Sequence, residues 1–210
     1  MAGRNIFGGE IIMKKRISIL VLSALVTTGA FAFDIDIPEL TMSAGGGLQF
    51  GAHFHTGDWD FYDPMIGFGL FGFFDATFVE ASLSLGWGFG GFTIPIIDED
   101  VNFNQMNLGI SLLGKFPFDM GLFTVFPLVG FGFNIPLVQW VDGDSVDDTW
   151  NSNFVLSFGA GLDFFLTNEL FIRPSLLFDI NFRPFGSDFE DASRVMSVGP
   201  RLRIAAGFRF

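Results

Sequence analysis

Hydrophobic and polar residues alternate along most of the chain, and the alternation is clearest in its last sixteen residues. Every even position from 196 to 210 is apolar, whereas Arg201, Arg203 and Arg209 occupy odd positions. Successive side chains of a β-strand point to opposite faces. This segment is therefore predicted to be a strand with one wholly apolar face.

The same period of two recurs in seven earlier segments, and we predict a strand for each. Long and short connections alternate between them, which is typical of a closed transmembrane barrel with short periplasmic turns and longer outer loops. The sequence therefore predicts an all-β fold, an eight-stranded antiparallel up-and-down barrel. Its strands are expected at 40–55, 64–74, 79–90, 105–115, 121–134, 153–164, 170–183 and 195–210. Long loops are expected at 56–63, around 98–100, at 135–151 and at 184–194, and a tight turn around Asp75.

The distribution of charges and aromatic residues indicates that this barrel lies in a membrane. After residue 40 almost every charge lies in a loop, in a turn or on the polar face of a strand. An Arg or Lys facing lipid at mid-depth costs about 2–4 kcal/mol, so a lipid-facing wall has to exclude them. Aromatic residues collect toward both ends of the strands, as in interfacial girdles. The outer girdle is predicted to hold Trp59, Trp87, Trp140 and Trp150, and the periplasmic one Phe116, Phe118, Phe171, Phe208 and Phe210.

The first 32 residues follow a different pattern. A basic segment, 13–16, precedes the apolar run 17–26, and Ala30-Phe31-Ala32 supplies a small-residue cleavage site. We expect an N-terminal extension and secretory signal peptide over 1–32, cleaved to leave the barrel domain 33–210. A single transmembrane anchor is the alternative, but the apolar run is shorter than the ~20 residues that a spanning helix needs.

A bundle of transmembrane helices is the rival interpretation of the rest, suggested by the uncharged stretch 121–141. This stretch contains Pro127, Pro136 and several glycines, and its apolar residues repeat every two positions. Proline and glycine both destabilise a helix interior, so the pattern favours a strand.

Composition narrows the classes of function. The predicted mature domain carries seven basic and 22 acidic residues, a formal net charge of −15, which disfavours nucleic acid as a partner. With no cysteine, two histidines and one tyrosine, the chain has little material for a nucleophile and its base. We therefore predict neither an enzyme nor a cofactor.

Five charged residues fall on the polar face near the short-turn ends of their strands. Unpaired charges inside a barrel are costly, and eight strands leave an interior only wide enough for side chains to fill. We predict a salt-bridged network that closes the periplasmic half of the lumen. Its members are Glu80, Lys115, Asp163, Arg173 and Arg203.

Above this network the inward positions are rich in glycine, which supports two interpretations. Because glycine fills no space, the outer half would form a cup, open to the outside, that takes a small apolar molecule. Alternatively, the glycines ease strand bending or admit bulky neighbours such as Phe126. The cup would be lined by Gly47, Gly88, Phe126, Leu128, Gly130 and Gly159.

The outer end of the first strand offers a candidate metal site. His53 and His55 share its polar face, and Asp58 follows in the loop. Two ring nitrogens and a carboxylate suit a divalent transition metal. Polar residues lining a wet barrel mouth are the simpler interpretation. All four long loops are acidic, so divalent cations are candidates to bridge them to one another or to anionic surface lipid.

The chain resembles the small eight-stranded outer-membrane barrels of bacteria, in particular the OmpW-type and related families. The resemblance rests on Ala30-Phe31-Ala32, the eight alternating segments and the terminal LRIAAGFRF, and the stretches 125–133 and 159–178 are similar as well. It implies a barrel surrounded by outer-membrane lipid, whose last strand, ending in Phe210, is recognised by the barrel-insertion machinery. It also implies passage of small hydrophobic solutes through a lumen blocked below, with a sideways exit into the membrane.

Two functions therefore stay open. The first is a narrow channel for small hydrophobic solutes, with the charged network below and the glycine cup as its entrance. The second is a surface-interaction protein, an adhesin or structural envelope barrel, whose acidic loops contact partners at the cell surface.

Overall fold

The computed structural model describes residues 41–57, 63–94, 99–145, 152–182 and 195–210. All of these belong to one compact unit, Glu39–Phe210. The predicted signal peptide lies outside the described residues, as does Asp58 of the predicted metal site.

Eight long strands close into a barrel in which chain neighbours pair antiparallel, and two short strands join them. The strands are β1 (Met42–His55), β2 (Met65–Ala76), β3 (Val79–Ile94), β4 (Glu99–Lys115), β5 (Phe118–Asp119), β6 (Phe123–Val141), β7 (Asp144–Ser145), β8 (Asn153–Phe165), β9 (Leu170–Phe182) and β10 (Val195–Arg209). The last strand, β10, pairs with β1, and β4 pairs with β6, so the ring is complete. The two-residue strands β5 and β7 pair with β6 at its two ends. The predicted eight-stranded up-and-down barrel is confirmed.

The helical alternative is wrong for the uncharged stretch, because β6 occupies most of it. Within the part of the chain that the structure describes, no helix has the length and apolarity to cross a membrane.

Alternation of side chains separates the two faces of the wall. Outward residues such as Leu48, Leu83 and Phe158 are 45–55% exposed. In contrast, every lysine and arginine among the described residues occupies an inward position. The outer face is therefore an apolar surface suited to lipid.

The first short turn lies further along the chain than the sequence predicted. β2 continues to Ala76, and the turn is formed by Thr77 and Phe78, with Thr77 in the left-handed region (φ 37°). Asp75 is therefore a strand residue that faces the lumen, where it is 2% exposed. An acidic residue between two apolar runs is typical of a turn. The odd position of Asp75 in the chain, however, places its side chain on the inward face of β2.

Three strands extend beyond their neighbours on the side of the long loops. β3, β4 and β6 contain 16, 17 and 19 residues, against 12–15 in the other long strands. The loops predicted around 98–100 and at 135–151 are therefore partly strand. The register of β4 against β6 shifts between Met106 and Asn107, which interrupts the alternation of inward and outward side chains. Such a bulge conceals the continuation of a strand from a periodicity argument.

Pairing along the wall is interrupted at two prolines. Between β8 and β9 the paired residues skip two positions on each strand, including Pro174 in β9. Between β1 and β10 they skip two positions on each strand, including Pro200 in β10. Proline has no backbone N–H that could donate a hydrogen bond to the neighbouring strand, which explains a gap in the pairing at each position.

Candidate functional site

Arg173 of β9 is the centre of a buried charged network in the lower, short-turn half of the lumen. Its Nε and Nη2 donate to the two carboxylate oxygens of Asp163 at 2.5 and 2.7 Å. Its Nη1 donates to Glu80 Oε2 at 2.9 Å, and Nη2 also reaches Asp75 Oδ2 at 2.7 Å. The arginine is 1% exposed, so these three carboxylates replace nearly all of its hydration.

Two further cations complete the network. Arg203 Nη2 donates to Glu80 Oε1 at 2.6 Å, and the Lys115 ammonium pairs with Asp75. The structure thus brings all five predicted residues together, with Asp75 as a sixth member that the sequence analysis missed. Three cations face three carboxylates, which makes the network neutral as a whole. Neutrality matters because an uncompensated buried charge is strongly destabilising.

Four phenylalanine rings surround the cations of this network. The guanidinium carbon of Arg173 lies 4.5–5.1 Å from three ring centroids, and that of Arg203 lies 4.1 Å from the fourth, Phe71. At these distances each ring face attracts the cation and keeps water away from it. The three rings around Arg173 are Phe73, Phe126 and Phe171.

The placement of Phe171 in the periplasmic girdle is wrong. Phe171 is 2% exposed and packs against Phe73 in a buried cluster, whereas Phe208 and Phe210 are 43% and 65% exposed. Position along the strand places all three at the same depth, but Phe171 shares the parity of Arg173 in β9. Parity, not depth, decides which face a strand residue occupies.

An apolar layer lies beside the charged network. It is a cluster of inward side chains that are only 0–2% exposed. Side chains buried to this degree line no open space, so the predicted role of Phe126 and Leu128 as cup lining is wrong. Lys115 Nζ lies 4.7 Å from the Phe126 ring, which joins this layer to the network. Together these side chains pack the lower half of the lumen. The layer consists of Leu113, Phe126, Leu128 and Leu177.

Three glycines of the predicted cup mark a close approach of strands. A Cβ atom on Gly47, Gly130 or Gly159 would lie against a backbone carbonyl oxygen of the adjacent strand. These positions therefore require glycine because backbone fills the space that a side chain would need. The close approach explains these three glycines without an empty space beside them, and the glycine-lined cup stays a prediction.

The remaining glycines of interest accommodate large side chains. A Cβ atom on Gly88 would come within 2.9 Å of Met65 Cε, and the Phe126 ring lies over Gly161. The alternative interpretation, in which glycines admit bulky neighbours, describes both. Sequence alone could not distinguish the two, because a glycine next to an empty space and a glycine under a ring look identical.

The outer half of the inner wall is polar and less charged. Ser157 Oγ donates to Asp179 Oδ1 at 2.6 Å, and Arg201 pairs with the same carboxylate at 3.0–3.1 Å. Nearby, the amide nitrogen of Asn181 donates to Nδ1 of His53 at 3.1 Å. These two sets of hydrogen bonds form an outer patch of polar side chains on β1, β8, β9 and β10.

The comparison with protein families accords with this architecture. The model of the outer membrane protein beta-barrel domain matches residues 18–199. The chain belongs to this family. It is accordingly a protein of the bacterial outer membrane, and the expected family and location are confirmed. Among curated protein sequences there is no match.

Solved structures of other outer-membrane barrels are similar in fold. Ail of Yersinia pestis is 19% identical, covers 82% of this chain and all of its own, and has a TM-score of 0.46. OprG of Pseudomonas aeruginosa is 12% identical over 81% of this chain and 96% of its own, with a TM-score of 0.45. OmpW of E. coli is 13% identical over 81% and 98%, with a TM-score of 0.44. The fold assigned to this chain rests instead on its own strand pairing and on the family match.

Within this family member, the predicted metal residues do not assemble among the described residues. His53 Nδ1 is engaged by Asn181, and His55 Nδ1 lies 3.1 Å from the carbonyl oxygen of Asp63. No group of three metal-ligating side chains comes together in the described ranges. The outer half of the inner wall therefore offers hydrogen-bonding groups, above a layer of buried side chains whose charges balance.

Proposed function

We propose that this barrel conveys small hydrophobic solutes from the outer surface into the membrane sideways, without a path along its axis and without chemistry on them. The observation that carries the proposal is the burial of the side chains in the lower half of the lumen. There, Glu80, Arg173 and Arg203 are each 1% exposed, and the apolar layer beside them is equally buried. A solute that enters from outside meets a neutral, dry floor and has to leave through the wall.

A pair of measurements tests both parts of the proposal. Refolded protein without the signal peptide is expected to give no ion conductance in a planar bilayer, because the floor is closed. Bacteria that display the protein in their outer membrane are expected to take up the apolar dye 1-N-phenylnaphthylamine faster than bacteria without it. Equal uptake by the two strains would refute transport, and discrete conductance would refute the closed floor.

A double substitution separates sideways transport from axial transport. Glu80→Ala with Arg203→Ala removes one carboxylate and one guanidinium, so the network stays neutral but loses part of its floor. We expect ion conductance to appear while dye uptake is unchanged. If dye uptake instead rises with conductance, the solute follows the axis. Glu80→Gln with Arg203→Met, which also keeps the network neutral but retains most of the side-chain volume, serves as the control for folding.

A surface-interaction protein is the second candidate, favoured by the extension of β3, β4 and β6 beyond the other strands. The hairpin at the end of β6 carries the exposed residues Asp142 and Asp144. In this case Asp142→Asn with Asp144→Asn would reduce adhesion of displaying bacteria to cultured epithelial cells. Dye uptake would stay unchanged, which distinguishes the two functions.

A further inference from the structure

Gly51 of β1 faces the lumen in the outer half of the barrel and differs from Gly47 and Gly159, where backbone fills the space of a side chain. A Cβ atom built on Gly51 would have its nearest contacts at 3.5–3.9 Å, which is ordinary van der Waals distance. Two of these contacts are Nε2 of His53 at 3.6 Å and Cβ of Arg201 at 3.9 Å. Gly51 therefore leaves a small recess in the lumen wall, between a ring nitrogen and an arginine.

The His53 ring supplies a hydrogen-bond donor at the edge of this recess. Its Nδ1 lies 3.1 Å from the amide nitrogen of Asn181, and an amide nitrogen can only donate. Nδ1 is therefore the acceptor, so the proton of the neutral imidazole lies on Nε2. Nε2 is the atom beside Gly51, and it has no hydrogen-bond partner within the described part of the chain. The contact with Asn181 thus fixes the tautomer that leaves an N–H group available to a ligand.

The Arg201 guanidinium supplies a second donor. Its Nη2 donates to Asp179 Oδ1 at 3.1 Å and to Ser157 Oγ at 3.3 Å, and its Nε lies 3.0 Å from Asp179 Oδ2. Nη1 takes part in no hydrogen bond among the described residues, and 17% of the side chain is exposed. Because the Asp179 carboxylate balances the charge of the guanidinium, the recess offers two N–H donors without a net charge.

We infer that the recess at Gly51 binds the carbonyl oxygen of a small, otherwise apolar molecule. A carbonyl oxygen has two lone pairs, so it can accept one hydrogen bond from His53 and one from Arg201. A carboxylate fits less well, because Asp179 repels a second negative charge and the recess has no positive charge in excess. A hydrocarbon leaves both donors without a partner. The inference rests on the proposed function and names its class of solute, an apolar molecule with a neutral carbonyl group.

Photolabelling with benzophenone tests the site, because benzophenone is an apolar molecule whose only polar group is a carbonyl. On irradiation this carbonyl takes hydrogen from a nearby C–H group and bonds to the carbon. Refolded protein in micelles of an alkyl glucoside, a detergent without a carbonyl group, is expected to carry the label on residues 49–53 or 199–203. An excess of methyl octyl ketone is expected to abolish this label, whereas decane and decanoate leave it. Labelling of lipid-facing side chains alone, insensitive to the ketone, would overturn the site.

Two substitutions of His53 separate the donor from the volume of the ring. His53→Gln places an amide N–H close to the position of Nε2 and is expected to keep the label that the ketone displaces. His53→Leu removes the donor and is expected to lower this label by about three- to tenfold, the effect of one neutral hydrogen bond. Equal labelling of the two variants would show that the ring N–H takes no part in binding and would overturn its role.

Filling the recess gives an independent test. Gly51→Ala adds a methyl group where there is room, so the variant should unfold in urea like the wild type but lose the label that the ketone displaces. Gly86→Ala is the matched control, because Gly86 is an inward glycine of β3 whose nearest contacts are also ordinary, at 3.7 Å. It should keep the label. A full label on Gly51→Ala would overturn the recess as the binding site.

Dye uptake by the displaying bacteria is a separate readout that distinguishes this inference from the proposed function. Uptake of the dye by the wild type, without a label that the ketone displaces, would overturn the carbonyl site and leave transport standing. A label that the ketone displaces, without dye uptake, would overturn transport and leave the carbonyl site standing.

Discussion

The two interruptions of the barrel wall, at Pro174 and at Pro200, have the same backbone cause and different surroundings. At Pro174 the skipped positions include Asp163 and Arg173, whose two hydrogen bonds of 2.5 and 2.7 Å link β8 directly to β9. At Pro200 the Arg201–Asp179 ion pair links β10 to β9 beside the gap, and the described contact that crosses the gap is a neutral hydrogen bond from β1 to β9.

This difference indicates that the loss of one backbone hydrogen bond between neighbouring strands does not by itself open the barrel wall. Hydrogen bonds to charged groups contribute about 1.5–3 kcal/mol each, against about 0.5–1.5 kcal/mol for neutral ones. The lower gap is therefore bridged by a charged pair among buried side chains, and the upper gap is bridged by a neutral hydrogen bond in the polar part of the lumen. The same residue type thus leaves one gap more strongly held than the other.

The largest effect is expected from removal of the cation that seals the lower gap. Arg173→Met leaves three buried carboxylates with one partner fewer each, and breaking such buried ion pairs costs about 3–5 kcal/mol. The free energy of unfolding in urea, measured in detergent micelles, should fall by this amount. Asp144→Ala, at an exposed position, is the control and should change it by less than about 0.5 kcal/mol. A loss for Arg173→Met no larger than that of the control would show that the network does not hold the wall.

A smaller loss is expected where strands touch through glycine. Gly159→Ala pushes a methyl group against the Leu176 carbonyl oxygen, and overpacking of this kind costs about 1–3 kcal/mol. The outward glycine Gly72 has more room, since its nearest atom is 3.7 Å away, so Gly72→Ala is the control. Urea unfolding of both variants is the measurement. Wild-type stability for Gly159→Ala would contradict the close approach of the two strands and favour an open cup at this position.

The smallest effect is expected from restoring the backbone N–H groups that are missing at Pro174 and Pro200, and it tests the comparison of the two gaps most directly. Pro200→Ala supplies an N–H to the gap that a neutral hydrogen bond bridges, and should raise the free energy of unfolding by about 0.5–1.5 kcal/mol. Pro174→Ala supplies an N–H to the gap that the ion pair already bridges, and a smaller gain is expected. Amide hydrogen exchange at Ala52 and His53 reports the upper gap directly, and exchange that Pro200→Ala leaves unchanged would argue against a weakly held gap.

Much of this architecture follows from parity in the sequence. Alternation in β8, β9 and β10 assigns Asp163, Arg173 and Arg203 to the inward face, and a buried charge requires a partner. Asp75 and Phe171 obey the same parity. Local charge suggests a turn at Asp75, and depth along the strand suggests the girdle for Phe171. Odd or even position in the strand, which the sequence also contains, places both side chains on the inward face.

The glycines and the prolines depended on the tertiary structure. Whether Gly47 or Gly159 borders a cavity depends on how closely the next strand passes, and that distance is set by the closure of the whole barrel. Pro174 and Pro200 likewise remove one donor each, but only the folded ring determines which gap has an ion pair behind it. The sequence by itself thus determined the strands, their faces and the residues that need partners, because these follow from backbone geometry and the cost of buried charge. The tertiary structure alone decided where space and weakness lie, because both are properties of neighbouring strands that are distant in the chain.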